Sequence, residues 1–396
     1  MIIDRLTIQN LALYFYFFSI NIESFDPLNL GGGFSMAKLA GICYLLAVFP
    51  SYKIIFNFNK IWYFIWPIIA FLGWMTLISL ININSYSSRF IDSAVFLNVV
   101  IFIAIINHAR KDINSLEKAL FAFAIGSFIT AILMYFGVGG EVDEGGRKTF
   151  FKADLNELGI KLAMGFTVAV VMIYQDILNL GRKRFYLFLL LPVIIGGVIS
   201  TGSRTAIALP ILSVIIFSLL LVLRSKQKFL FFALASIILP IFVVAAAFLA
   251  LQSEVLSARM STGSASGSNA MRLFLWLGYA DIISENYIFG YGLSGSDLAV
   301  YKYFGLFESP HNVILEILTY SGVIGLFIYF IFLIRVFFST YKIFLQSSHL
   351  MPALLLPSII AFTLMLQGLS EKACWLVLAY IIGTYLYRNK LISSQL

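Results

Sequence analysis

The 396-residue sequence reads as an all-α polytopic membrane protein with about twelve transmembrane helices. It is 61% hydrophobic and 12% charged, against roughly 25% charged in an ordinary soluble domain. The apolar share, about 240 residues, is room for about a dozen spans of roughly 20 residues each. The apolar runs are continuous, whereas a membrane β-barrel would alternate over about ten residues per strand. Thirty-nine Phe and 20 Tyr exclude a disordered chain. Cys43 and Cys374, both inside apolar runs, exclude a secreted disulfide scaffold and suggest no redox chemistry.

The spans are apolar runs bounded by charged or turn residues, in order 6–20, 36–49, 61–80, 90–106, 119–138, 158–174, 185–199, 205–223, 229–251, 313–338, 352–366 and 373–387. The first run is not read as a removable signal peptide, because Asn21, Ile22, Glu23 and Ser24 follow it where a small-residue cleavage site would stand. Twelve spans put both termini on one side. Alternate connections are short and basic, carrying Lys53 and Lys60, then Arg110, Lys111 and Lys118, then Arg182, Lys183 and Arg184. The series continues with Arg224, Lys226 and Lys228, then Arg335 and Lys342, with Arg5, Arg388 and Lys390 at the ends. That side holds 16 of the 27 Lys and Arg but only Asp4, Asp112, Glu117 and Asp176 of the 19 acids, so it faces the cytoplasm. The net charge of +8 is thus a topology signal, and its scatter over short loops argues against a nucleic-acid partner. The whole chain, 1–396, reads as one integral membrane domain.

The outer side carries one long connection, 252–311, and a shorter one, 139–157; long loops in compact proteins are usually functional. Ser268 or Asn269 can cap a helix running to about Glu285, which places Arg272 and Trp276 one turn apart on one face. The Ser/Gly-rich stretch 261–268 before it reads as flexible linker.

Three outward-facing positions stand out. Arg204 follows Thr201, Gly202 and Ser203 at the start of the eighth span, so a guanidinium joins the free N–H groups of a capped helix end, an anion site. The alternative is a snorkelling anchor to lipid headgroups. Arg272 beside Trp276 suits either phosphate contact at the membrane border or an idle surface position. His311, after Pro310 and before Asn312, opens the tenth span; Pro suits a first helical turn, and the positive end of the helix dipole disfavours an imidazolium there. Glu316, one turn deeper, is expensive in a span and is expected to orient His311 or pair with an Arg. The 139–157 loop offers Glu141, Asp143, Glu144, Arg147, Lys148, Lys152, Asp154 and Asn156, either as a substrate-contacting loop or as a solvated one. No Asp-x-Asp pair, zinc spacing, P-loop or Gly-x-Ser-x-Gly elbow is present, so no metal or cofactor is expected.

At Ser203-Arg204-Thr205-Ala206, at Arg272 with Trp276, at Gly290-Tyr291-Gly292, and at His311-Asn312 followed by Leu315, Gly322, Gly325 and Leu326, the chain resembles the bacterial O-antigen polymerase and O-antigen ligase superfamily. The resemblance covers about residues 145–335; Arg147 and Asn156 fit the family pattern of the 139–157 loop only loosely. It implies a GT-C type fold in the bacterial inner membrane, with both termini cytoplasmic and a periplasmic active site. It also implies a metal-independent, inverting transfer of a glycan from an undecaprenyl-pyrophosphate carrier to a sugar hydroxyl. Arg204 and Arg272 would hold the pyrophosphate and His311 would be the base; Arg147, Lys152, Asn156, Trp276, Asn312 and Glu316 would contact substrate. The expected partners are the lipid-linked oligosaccharide, membrane lipids and a chain-length regulator. Polymerisation of repeat units is the first expectation, ligation to lipid A core the second. A lipid-linked glycan transporter is a further alternative, although transporters usually hold substrate near the bilayer midplane.

Overall fold

The computed structural model describes residues 5–27, 35–140, 148–224, 268–365 and 368–393. The expected span 229–251, the linker 261–268 up to its last residue, and Glu141, Asp143, Glu144 and Arg147 lie outside them. Among the described residues there is no strand. The principal helices are α1 Arg5–Ser19, α2 Met36–Val48, α3 Trp62–Ile81, α4 Ser93–Lys111, α5 Ile113–Tyr135, α6 Leu155–Gln175 and α7 Leu190–Ser200. They continue with α8 Arg204–Arg224, α9 Ser268–Glu285, α10 Gly292–Phe304, α11 Val313–Ser347, α12 Met351–Met365 and α13 Lys372–Ser393.

Eight helical segments among the described residues are long and apolar enough to cross a membrane, fewer than the twelve spans expected. Of the other four expected spans, two are the 15-residue helices α1 and α12 and one is the 22-residue α13. The fourth is 229–251. The chain divides into two compact units, one comprising Met1–Tyr52, Lys111–Thr262 and Ile343–Ile359, the other Lys53–Arg110, Gly263–Lys342 and Ile360–Leu396.

In the first unit α6 is the central helix, buried along most of its length. Asp154 starts it by accepting from the N–H groups of Asn156 and Glu157, both at 2.9 Å, which satisfies two of the four donors a helix start leaves unpaired. Packing against neighbours uses small residues, as membrane helices do: a side chain on Gly165 would meet Ser127 Oγ at 2.1 Å. Asn21, just past α1, donates to the Phe123 carbonyl at 3.0 Å and accepts from Ser127 Oγ at 2.8 Å, so α1 is tied to α5 by buried polar bonds. The buried Lys161 ammonium donates to Glu23 at 2.7 Å and to Glu157, and the carboxylates make its burial tolerable.

The second unit is organised around an interruption in α11. Gly322 has φ 60° and ψ −166°, a conformation essentially reserved to glycine, and the helical hydrogen bonds broken there are replaced from outside. Val323 N–H donates to the Tyr287 carbonyl at 2.9 Å, while the Thr319 carbonyl accepts from Tyr291 N–H at 2.8 Å. Trp74 of α3 covers the Ser321 carbonyl at 3.0 Å. Beyond the break, Phe102 of α4 lies edge-on to Phe332 of α11 and Trp375 of α13, at 6.0 and 5.3 Å between ring centres. On α9 and α10, Tyr279, Ile282, Ile283 and Val300 form a second buried apolar cluster.

Candidate functional site

Two of the expected groups of residues are assembled locally, one in each unit. In the first, Ser203 caps α8: its Oγ accepts from Ala206 N–H at 3.4 Å and donates to Asn156 Oδ1 at 3.0 Å. Asn156 of α6 is therefore joined to the turn that carries Arg204, the first residue of α8, whose side chain is exposed. Lys148 N–H donates to the Ser200 carbonyl at 3.1 Å, which brings the middle of the 139–157 loop to the same turn. Lys152 follows with a left-handed backbone, φ 60°.

In the second unit α9 has the expected extent, Ser268–Glu285, and its Trp276 and Tyr279 fasten the segment before α11. Trp276 Nε1–H donates to the Pro310 carbonyl at 2.9 Å and Tyr279 OH to the Glu308 carbonyl at 2.6 Å. Arg272 stands one turn before Trp276, partly buried. Asn312, not Pro310, is the cap of α11: its Oδ1 accepts from Ile314 N–H at 2.9 Å and from Leu315 N–H at 3.3 Å. Pro310 lies outside the helix.

His311 sits between the fastened carbonyl and the cap, with a left-handed backbone at φ 47°. Its N–H donates to Ser309 Oγ at 3.2 Å, and among the described residues its ring makes no hydrogen bond. A non-glycine residue held in this region costs of order 1–3 kcal/mol and persists only where the surroundings fix it. Here Trp276, Ser309 and Asn312 do so.

Glu316 does not orient His311 as expected. Its Oε1 accepts from Tyr320 OH at 3.3 Å, while Oε2 is shut off from solvent and has no partner among the described residues. Glu316 lines a cavity of about 490 Å³ that also reaches Pro310. Across it, Arg89 pairs with Asp297 at 2.8 Å, and Ser87 Oγ donates to the other oxygen of Asp297 at 2.7 Å. Burial, then the carboxylates of Glu316, Asp297 and Glu308, raise the Tyr279 phenol well above its ordinary range, so it stays a proton donor.

Sequence reasoning passed over Tyr279, Arg89, Asp92 and Asp297. Arg89 had a readable signal, being an Arg on the outer side between the third and fourth expected spans, as Arg204 is before the eighth. Its pairing with Asp297, 208 positions away, had none.

Trp276→Phe keeps an aromatic ring but deletes the donor to Pro310. A loss of about 1 kcal/mol is expected, read as a small fall in the thermal midpoint, because the Pro310 carbonyl loses its donor and the His311 backbone is released.

Residues 185–330 match the family model described as O-Antigen ligase, and this match supports membership of the O-antigen polymerase and ligase superfamily. No curated protein and no solved structure matches the chain.

Proposed function

We propose that the protein is a polysaccharide polymerase that joins undecaprenyl-pyrophosphate-linked oligosaccharide repeat units on the periplasmic face of the inner membrane. The observation that carries this reading is His311, held in a strained backbone conformation next in sequence to a residue lining a polar cavity, within the region matching the family model. Strain retained at one residue by three separate anchors is the signature of a group kept for function.

The chemistry follows from these side chains. The acceptor hydroxyl passes its proton to the imidazole of His311 as its oxygen attacks the anomeric carbon. The bond from that carbon to the pyrophosphate oxygen breaks, and its electron pair leaves with the pyrophosphate. Arg272 and Arg204 each offer planar guanidinium donors to the departing charge, a task that needs no metal. Attack from the face opposite the leaving group inverts the anomeric centre. Trp276 and Asn312 hold the base in place. Lys152, Asn156 and, outside the described residues, Arg147 contact the donor; a chain-length regulator is the expected protein partner.

Arg272→Lys retains the charge but loses the planar fork, so kcat/KM for the donor is expected to fall about tenfold, with kcat itself falling because the charge that develops on the departing pyrophosphate is less well held. Ligation to lipid A core is the second reading, favoured by the description of the matching family model. Purified protein given lipid-linked repeat units alone decides: a ladder of lengths supports polymerisation, and product only on adding lipid A core supports ligation. Transport into liposomes without glycosidic bond formation, persisting in His311→Ala, would refute both.

A further inference from the structure

The cavity that reaches Pro310, the residue before His311, has a character the proposed chemistry does not use. Four carboxylates line it, Asp92, Asp297, Glu308 and Glu316, against the single guanidinium of Arg89, which is already engaged by Asp297. Such a wall repels a pyrophosphate. The buried, unpartnered oxygen of Glu316 demands a hydrogen-bond donor, because an unpaired acceptor shut away from water is costly. Tyr86 and Phe307 form part of the lining, and both rings pack on Tyr301, at 5.1 and 5.4 Å between centres. Flat rings beside a dense set of acceptors suit a pyranose, whose C–H face is apolar and whose rim is hydroxyl donors. The volume, about 490 Å³, is in the range of small-molecule sites.

We infer that this cavity binds the acceptor end of the glycan and admits a sugar without a carboxylate, neutral or amino-substituted, while rejecting uronic acids. The inference rests on the proposed glycan transfer and adds to it the class of sugar that receives the new bond. Ser87, Ser296 and Ser309 supply further hydroxyls along the same wall. Pyrophosphate is held elsewhere, by the cationic side chains.

The test is binding without turnover. Full-length protein in nanodiscs is examined by saturation-transfer NMR with methyl glucoside, glucosamine and glucuronate. The first two are expected to take up saturation and glucuronate about tenfold less, with added inorganic pyrophosphate displacing neither of the first two. In Asp92→Asn with Glu308→Gln the glucuronate signal is expected to rise to within about threefold of the glucoside. Asparagine keeps the α4 start intact, since Asp92 Oδ1 accepts from Ala94 N–H at 2.9 Å and Val95 N–H at 3.1 Å and an amide oxygen can do the same. Equal glucuronate binding by the wild type, displacement by pyrophosphate, or unchanged discrimination in the double variant overturns the inference. Sugar binding as expected in a protein that forms no glycosidic bond supports the cavity's assignment while refuting glycan transfer. Turnover with equal glucuronate binding does the reverse.

Discussion

His311→Asn is expected to lower turnover by about 10²–10⁴-fold while leaving binding of the lipid-linked donor within about twofold of wild type. Asparagine is chosen because it tolerates the left-handed backbone at φ 47° better than most residues, so the segment between Pro310 and Asn312 keeps its path. What it lacks is a group able to accept a proton from a sugar hydroxyl. The measurement is single-turnover transfer with donor titration, on protein checked for normal expression and thermal midpoint. Wild-type turnover in this variant would end the assignment of His311 as base.

Gly322→Ala is expected to produce the largest loss of stability. The position needs φ 60° with ψ −166°, and an added methyl would lie 2.2 Å from the Ile288 carbonyl oxygen. The backbone penalty is about 1–3 kcal/mol, and the overlap adds about as much again, because the opposing atom belongs to main chain that is itself hydrogen-bonded. A folded fraction well below wild type in detergent, or a thermal midpoint lower by many degrees, is the expected readout. Gly325→Ala, within regular helix, makes a comparison: its methyl would meet the side chain of Ser321 instead of the backbone of another segment. Equal midpoints for Gly322→Ala and wild type would mean that the interruption in α11 is not needed.

Much of this organisation was readable from residue types. The apolar runs and their charged borders located most helices, and a capping Ser268 or Asn269 marked the start of α9 at Ser268–Glu285. The pieces Gly290-Tyr291-Gly292, His311-Asn312 and Gly322 were recognised as a pattern. Their physical reason was hidden, because it lies in one backbone crossing another: a side chain on Gly290 would meet Ser321 N and Gly322 N at 2.6 Å. The sequence puts Pro310 in the first helical turn, yet Asn312 is the cap, since an Asx side-chain oxygen can accept from two free N–H groups and a proline side chain carries no acceptor. The role given to Glu316 failed for a related reason. Its partner is Tyr320, one turn on along the same helix, and the cavity it lines draws on residues between Met75 and Val95 and between Tyr279 and Ser370 that no local pattern connects.

The crossing at Gly322 also bears on how the outer segment moves. Residues 287–291 are laced to α11 by main-chain bonds from Val323 to Tyr287, from Ile324 to Ile288 and from Tyr291 to Thr319. A stretch stitched in this way does not swing like a hinged flap. It behaves as part of the frame that carries α11, so on the proposed glycan transfer the incoming sugar would meet a vestibule already in its working shape, with little binding energy diverted into ordering protein.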